Sequence, residues 1–277
     1  MACLLRSWYP FRMARTRTVG STQVRDAYRE VQQRIADAAI ASGRQPQEVH
    51  LVAVTKTASP DEIRQLYELG HRDFGESRVQ QLAQRATALE EFVGRKRFLS
   101  RDSDQGNPID AHPRWHMIGH LQRNKVKHVA PVVKLVHSVD SLRLAEELHA
   151  FGAKMSAANN DEIRPIDMLL QVNASGEDQK FGLTLPAVAH FAEQIDTMIH
   201  LRLRGLMCMA EQSSDVDKTR ATFTRTAELF QEIKTESYVT PQFNILSMGM
   251  SNDYEIAIEC GANLVRVGRA IFGDIES

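Results

Sequence analysis

The chain has 277 residues, 43% of them hydrophobic and 25% charged, and its 34 basic side chains nearly balance 35 acidic ones. That balance gives no global electrostatic case for nucleic acid or a membrane surface, and the longest apolar runs, such as Met168-Leu169-Leu170, are far too short to span a bilayer. Three widely spaced cysteines, Cys3, Cys208 and Cys260, form no C-x-x-C pair and no His/Cys cluster of metal-ligand spacing, which points to a reducing compartment and no metal site.

Residues 1–21 are read as an N-terminal extension and residues 22–277 as one domain. The extension carries Arg6, Arg12, Arg15 and Arg17 with no acid before Asp26, a pattern shared by mitochondrial transit peptides and by disordered tails. An amphipathic helix follows from about Gln23 to Ser42, with Val24, Ala27, Tyr28, Val31, Ile35, Ala38 and Ala39 on one stripe and Gly43 just beyond. Strand patterns then recur at His50–Lys56, Asp73–Glu76, Trp115–Gly119, Leu135–Ser138, Asp167–Asn173, Leu203–Met207, Asn244–Met248 and Leu264–Gly268. Helices fill most of the gaps. One starts at Ser59 or Asp61 and stops at Gly70. Another is capped by Asp140 or Ser141 and runs from Leu142 to Phe151, ending at Gly152. A surface helix covers Val216–Lys234, and a last one, capped by Ser251 or Asn252, stops before Gly261. Residues 94–114, rich in Arg, Asp, Gly and Pro, read as a loop or insertion.

Eight strands separated by helices predict a parallel (β/α)8 barrel of the TIM type preceded by a helix. No early G-x-G-x-x-G marks an open dinucleotide-binding sheet. In such barrels the chemistry sits at the C-terminal ends of the strands. Lys56 ends the first, on the same side as Val52 and Val54. A lysine there either snorkels to solvent or supplies an amine for a Schiff base with a carbonyl or with pyridoxal phosphate. Ser247-Met-Gly-Met-Ser251-Asn-Asp253 and Val265-Arg266-Val267-Gly268-Arg269-Ala270 read either as turns or as phosphate-binding loops of the late strands. Arg266 at the end of the last strand points to the mouth beside Lys56, and an Arg near a pyridine nitrogen keeps that nitrogen unprotonated. His116 and His120 are spaced i, i+4, but a glycine and a strand end intervene, so they read as packed or loop histidines rather than metal ligands. Asn173 either hydrogen-bonds a ligand or turns the chain, and Cys208, between Met207 and Met209, reads as an inert thiol.

The stretches Val52-Ala-Val-Thr-Lys-Thr57, Arg72-Asp-Phe-Gly-Glu76, Trp115 to Val126, His137-Ser-Val-Asp-Ser141, Gln171-Val-Asn173, Arg204-Gly-Leu-Met207, Leu246-Ser-Met-Gly-Met-Ser251, Val265-Arg-Val-Gly268 and Ala270-Ile-Phe-Gly273 closely resemble the pyridoxal phosphate homeostasis proteins. The barrel of that family is similar to the N-terminal domain of alanine racemases. By this resemblance Lys56 carries a Schiff base to pyridoxal 5'-phosphate and Arg266 lies near the pyridine nitrogen. Ser247, Ser251, Gly268 and the backbone of Arg269 surround the phosphate. Two positions depart from the family pattern: Ser77 stands where Asn is usual, shortening an expected contact, and Arg269 stands where Thr is usual, exchanging a hydroxyl for a cation.

The resemblance implies vitamin B6 homeostasis in the cytoplasm, with a mitochondrial location suggested by the N-terminus, and pyridoxal phosphate-dependent apoenzymes as recipients. The chain stops four residues after Gly273, whereas racemases and related decarboxylases carry a further β-rich domain that supplies a second acid/base group. The expectation is therefore a monomeric carrier rather than an enzyme. The alternative is an amino-acid racemase or decarboxylase of low activity using the same lysine.

Overall fold

The computed structural model describes residues 21–100, 112–160, 162–175, 181–211, 215–236 and 239–273. The expected extension falls outside these residues except for Ser21, which opens the first helix, α1 (Ser21–Ala41). Its stripe of Val24, Tyr28, Val31, Ile35, Ala38 and Ala39 is buried, and Gly43, at φ 71°, ends it by closing backbone hydrogen bonds onto the last turn.

The strands are β1 (His50–Val54), β2 (Asp73–Glu76), β3 (Arg114–Met117), β4 (Val133–Val139), β5 (Ile166–Asn173), β6 (Leu183–Thr184), β7 (Leu201–Cys208), β8 (Ile245–Ser247) and β9 (Leu264–Val267). All pairings are parallel. The sheet runs β4-β3-β2-β1-β9-β8-β7-β5, and a β4–β5 pairing closes it into an eight-stranded barrel, with β6 a two-residue addition on β5. The predicted (β/α)8 barrel is thus the fold.

The helices are α2 (Pro60–Glu68), α3 (Val79–Ser100), α4 (Val126–Val129), α5 (Leu142–Ala158), α6 (Leu185–Asp196), α7 (Val216–Lys234), α8 (Tyr254–Glu259) and α9 (Arg269–Phe272). Ser59 is the cap of α2, in a reciprocal capping box with Glu62. Three local expectations are corrected. Helix α5 does not end at Gly152: a Cβ there would lie 2.8 Å from Cβ of His200, so this glycine serves close packing within a continuing helix. Residues 94–100 belong to α3, and 101–111 lie outside the described residues. Helix α8 is capped at Asp253, whose carboxylate accepts from the Met250 N–H at 2.6 Å, not at Ser251 or Asn252.

Two large apolar clusters fill the space between barrel and helices. A third joins Val52, Leu135, Leu169, Met207 and Leu264, which come from strands that do not all neighbour one another. Such a cluster can form only across the interior of a closed barrel, so this barrel is packed rather than hollow.

Candidate functional site

The C-terminal ends of the strands open into a cavity of about 1040 Å³ lined by Lys56, Ser77, Gln171, Ser251, Arg266, Gly268 and Arg269, among others. Strand β1 stops at Val54, and Lys56 sits on a single 3-10 turn, Thr55–Thr57, rather than on the strand as expected. The alternation still carries through: Val52 is buried inside the barrel, Val54 borders the cavity, and Lys56 is exposed to it.

That turn is held from below by a group the sequence reading left without a role. Glu76, fully buried at the end of β2, accepts from the Thr55 hydroxyl at 3.0 Å, from the Ser77 N–H at 2.7 Å and from the Arg78 N–H at 3.2 Å. Arg85 of α3 donates to both Glu76 and the Thr55 carbonyl, and its second terminal nitrogen donates to the Ala58 carbonyl at 3.0 Å. A buried carboxylate so surrounded by donors is a rigid anchor. The Lys56 turn is therefore built by residues 20 to 30 positions away.

Arg266 reaches the cavity from inside the barrel. Its guanidinium is 3% exposed and donates to the Ser247 hydroxyl and, at 2.8 Å, to the Cys208 carbonyl. Burial pushes its pKa down to about 10, against the opposing pull of Cys208 and Asp253, so it stays protonated at neutral pH. Among the described residues no carboxylate forms a salt bridge with it. Burial also pushes the Cys208 thiol up to about 11, which keeps it protonated and inert.

At the opposite wall the Ser251 hydroxyl accepts from the backbone N–H groups of Gly268 and Ala270, each at 3.3 Å. Gly268 is needed for contact: a Cβ there would meet the Val54 carbonyl at 3.0 Å and the Val54 Cβ at 3.1 Å. The loop after β9 thus lies directly against β1, and Arg269 projects from it, exposed.

Two expected site residues do not line the cavity. Ser247 is fully buried beneath it, with its hydroxyl engaged by Arg266 and, at 3.0 Å, by His137. Asn173 ends β5 and accepts from the Ser175 hydroxyl at 3.1 Å, the geometry of a residue that turns the chain. Ser77 does line the cavity, its hydroxyl 3.4 Å from Glu76. His116 is a packed histidine and His120 a loop histidine, the latter stacked on Phe181 at the cavity rim. The lining residue Gln171, which donates to the Phe181 carbonyl at 3.0 Å, was quoted within a motif but given no role. Its inward position on a buried strand was the available signal.

A family model described as "Alanine racemase, N-terminal domain" matches residues 29–276. A protein of Helicobacter pylori named "Pyridoxal phosphate homeostasis protein" is 36% identical over 226 residues, covering 81% of this chain and 87% of its own. The crystal structure of an unknown protein from Bifidobacterium adolescentis superimposes with a TM-score of 0.78 at 34% identity, over 91% of this chain and 95% of that one. PipY of Synechococcus elongatus, solved with PLP bound, has a TM-score of 0.66 at 29% identity, over 86% of this chain and all of its own.

Proposed function

This chain belongs to the alanine racemase N-terminal-domain family, among the pyridoxal phosphate homeostasis proteins, and from that premise we propose that its cavity holds pyridoxal phosphate reversibly and that the chain works as a carrier of the cofactor. The observation that carries the proposal is the convergence on one cavity of an exposed amine at Lys56, a buried guanidinium at Arg266 that has no salt-bridge partner among the described residues, and the Ser251 hydroxyl beside the Gly268–Arg269 loop. This donor set fits the group. When bound, the cofactor supplies an aldehyde that combines with primary amines and a pyridine ring that draws electrons.

The residues then divide the work. Lys56 offers the amine, and the Glu76–Arg85 anchor holds its turn at the mouth. Arg266 can only donate, so toward a ring nitrogen it favours the unprotonated form and makes the ring a weak electron sink. Ser251 and the Gly268–Ala270 backbone surround the anionic end, with the Arg269 cation beside them. Because Lys56 is exposed, water reaches the bond it forms, which suits release by hydrolysis and transfer to pyridoxal phosphate-dependent apoenzymes.

The test is direct. Purified chain mixed with pyridoxal phosphate develops a visible absorption band, and borohydride reduction followed by peptide mapping places the adduct on Lys56. Lys56→Ala shows neither. No band in the native chain overturns the binding reading. Multiple turnovers on added amino acids overturn the carrier reading in favour of a weak racemase or decarboxylase using the same lysine.

A further inference from the structure

Below the cavity a line of polar side chains crosses the barrel interior. Arg266 on β9 donates to the Ser247 hydroxyl on β8. Ser247 Oγ lies 3.0 Å from Nδ1 of His137 on β4, and Nε2 of His137 lies 3.0 Å from Nδ1 of His116 on β3. Nε2 of His116 lies 3.1 Å from Oδ1 of Asp73 on β2, and Asp73 is bound by Arg114 through Nε at 2.7 Å. His116, His137, Ser247 and Arg266 are all at most 5% exposed.

The direction of this line is set by its ends. A guanidinium has donors only, and an ionised carboxylate has acceptors only. Burial opposes ionisation of Asp73, but hydrogen bonds from Arg114 and His116, with the Arg114 charge, outweigh it and hold its carboxyl well below the usual range. Ser247 accepts from Arg266, and its single proton completes the line when it points to His137 Nδ1. Burial, with His116 and Arg266 nearby, keeps His137 neutral, and with Nδ1 accepting from Ser247 its one proton lies on Nε2, toward His116 Nδ1. The arrangement of neutral rings that makes every link of this line a hydrogen bond has the His116 proton on Nε2, toward Asp73. Every member donates in one sense, away from the cavity.

We propose that Asp73, His116, His137 and Ser247 are positioning residues for Arg266, a one-directional hydrogen-bond relay anchored at the Asp73–Arg114 pair that fixes which guanidinium N–H groups are left facing the cavity. With one N–H committed to Ser247 and another to the Cys208 carbonyl, the remaining donors have a single orientation. Breaking the line anywhere frees the Ser247 hydroxyl to rotate and lets the guanidinium turn. The Cys208 thiol and Asp253 also face Arg266 electrostatically, but neither side chain is hydrogen-bonded to it; Cys208 holds it through the backbone carbonyl alone.

The effect on the cofactor rests on the reading of Arg266 as the ring-nitrogen residue, whereas the tautomers do not. In nitrogen-15-labelled protein free of cofactor, NMR at neutral pH is expected to show His116 and His137 both carrying their proton on Nε2, and a proton on Nδ1 of either ring overturns the relay. In loaded protein, Ser247→Ala and His137→Phe are each expected to speed pyridoxal phosphate release about tenfold, equivalent to about 1.4 kcal/mol. The double variant is expected to be no faster than either single, because one line is broken once. A multiplied, hundredfold effect, or no effect, overturns the proposal. Ser247→Thr keeps the hydroxyl and restores release to within about twofold. Leu144→Ala, a core change away from the line, lowers stability without changing release. If the native chain takes up no pyridoxal phosphate, the functional reading fails while the tautomer result still decides the relay.

Discussion

The two ends of the barrel treat arginine differently. At the end where the strands begin, three guanidinium groups on the strands meet carboxylates: Arg114 meets Asp73, and Arg202 and Arg204 meet the two oxygens of Asp167 at 2.5 and 2.7 Å. At the end where the strands finish, Arg266 is more deeply buried than any of them, and its hydrogen-bond partners among the described residues are a hydroxyl and a carbonyl. The first arrangement closes the barrel with charges that satisfy one another. The second leaves donor capacity for a ligand, at a cost in stability that the fold bears because the site needs it.

The contrast can be broken from the closed end with the largest effect. His71, packed under α1, accepts from the Tyr28 hydroxyl and donates from Nε2 to the Asp73 carbonyl at 2.7 Å, and burial pushes its pKa down to about 4. The unfolded chain takes up a proton below about pH 6.5, whereas the folded chain does so only near 4. Stability is therefore expected to be unaffected by this group above pH 6.5 and to fall by about 3 kcal/mol as pH drops to 4. Urea midpoints across that range check it, and His71→Gln should flatten the slope. His137, depressed in the same direction, adds to the loss. Next in size, Asp167→Ala takes the carboxylate from two part-buried guanidinium groups, of which Arg204 keeps the Gln242 carbonyl and Asn244, and is expected to lower stability by about 2 kcal/mol without changing cofactor affinity.

The mouth is expected to behave in the opposite way. Arg266→Met removes a buried charge that has no salt-bridge partner among the described residues, so stability without cofactor should stay within about 1 kcal/mol of the native chain. Cofactor affinity should fall by about 1.5–3 kcal/mol, roughly 10- to 100-fold, as measured by titrating the visible band. Equal loss in both quantities would erase the distinction between the two ends. Smaller still, Ser251→Ala removes the acceptor for two backbone N–H groups and should cost about 1 kcal/mol with faster release. The smallest change is Arg269→Thr, which should weaken phosphate retention only about two- to fivefold. That difference should shrink as salt rises, since the side chain is exposed.

Much of the molecule was legible beforehand. Period-two apolar runs and helix stops located eight barrel strands to within a few residues, and Asp73–Glu76 and Val216–Lys234 coincide with the observed elements. The failures were local competitions. Gly152 looks like a helix stop because glycine so often is one, but the approach of His200 gives it another task. Residues 94–100 carry a loop-like composition yet continue a helix whose earlier turns place Ala86, Leu89 and Val93 in the core.

Position alone placed Lys56, Arg266, Ser251 and Gly268 at the barrel mouth, because each follows or ends a barrel strand and all strands of such a barrel point the same way, while their roles came from the family resemblance. Ser247 shares that position and was still misplaced, since one strand residue more or less along the barrel separates the cavity from the layer beneath it. The chain order by itself determined the fold class, the lysine and the cations at the strand ends, because these depend on local periodicity and on distance from a strand terminus. Only the closed barrel decided that Glu76 and Arg85 hold the lysine turn, that His137 meets Ser247 across 110 residues of sequence, and that Arg266 meets a hydroxyl where Arg114 meets a carboxylate. Those pairings exist because closure brings distant strands face to face, and no local pattern in the sequence encodes which side chains will then share a proton.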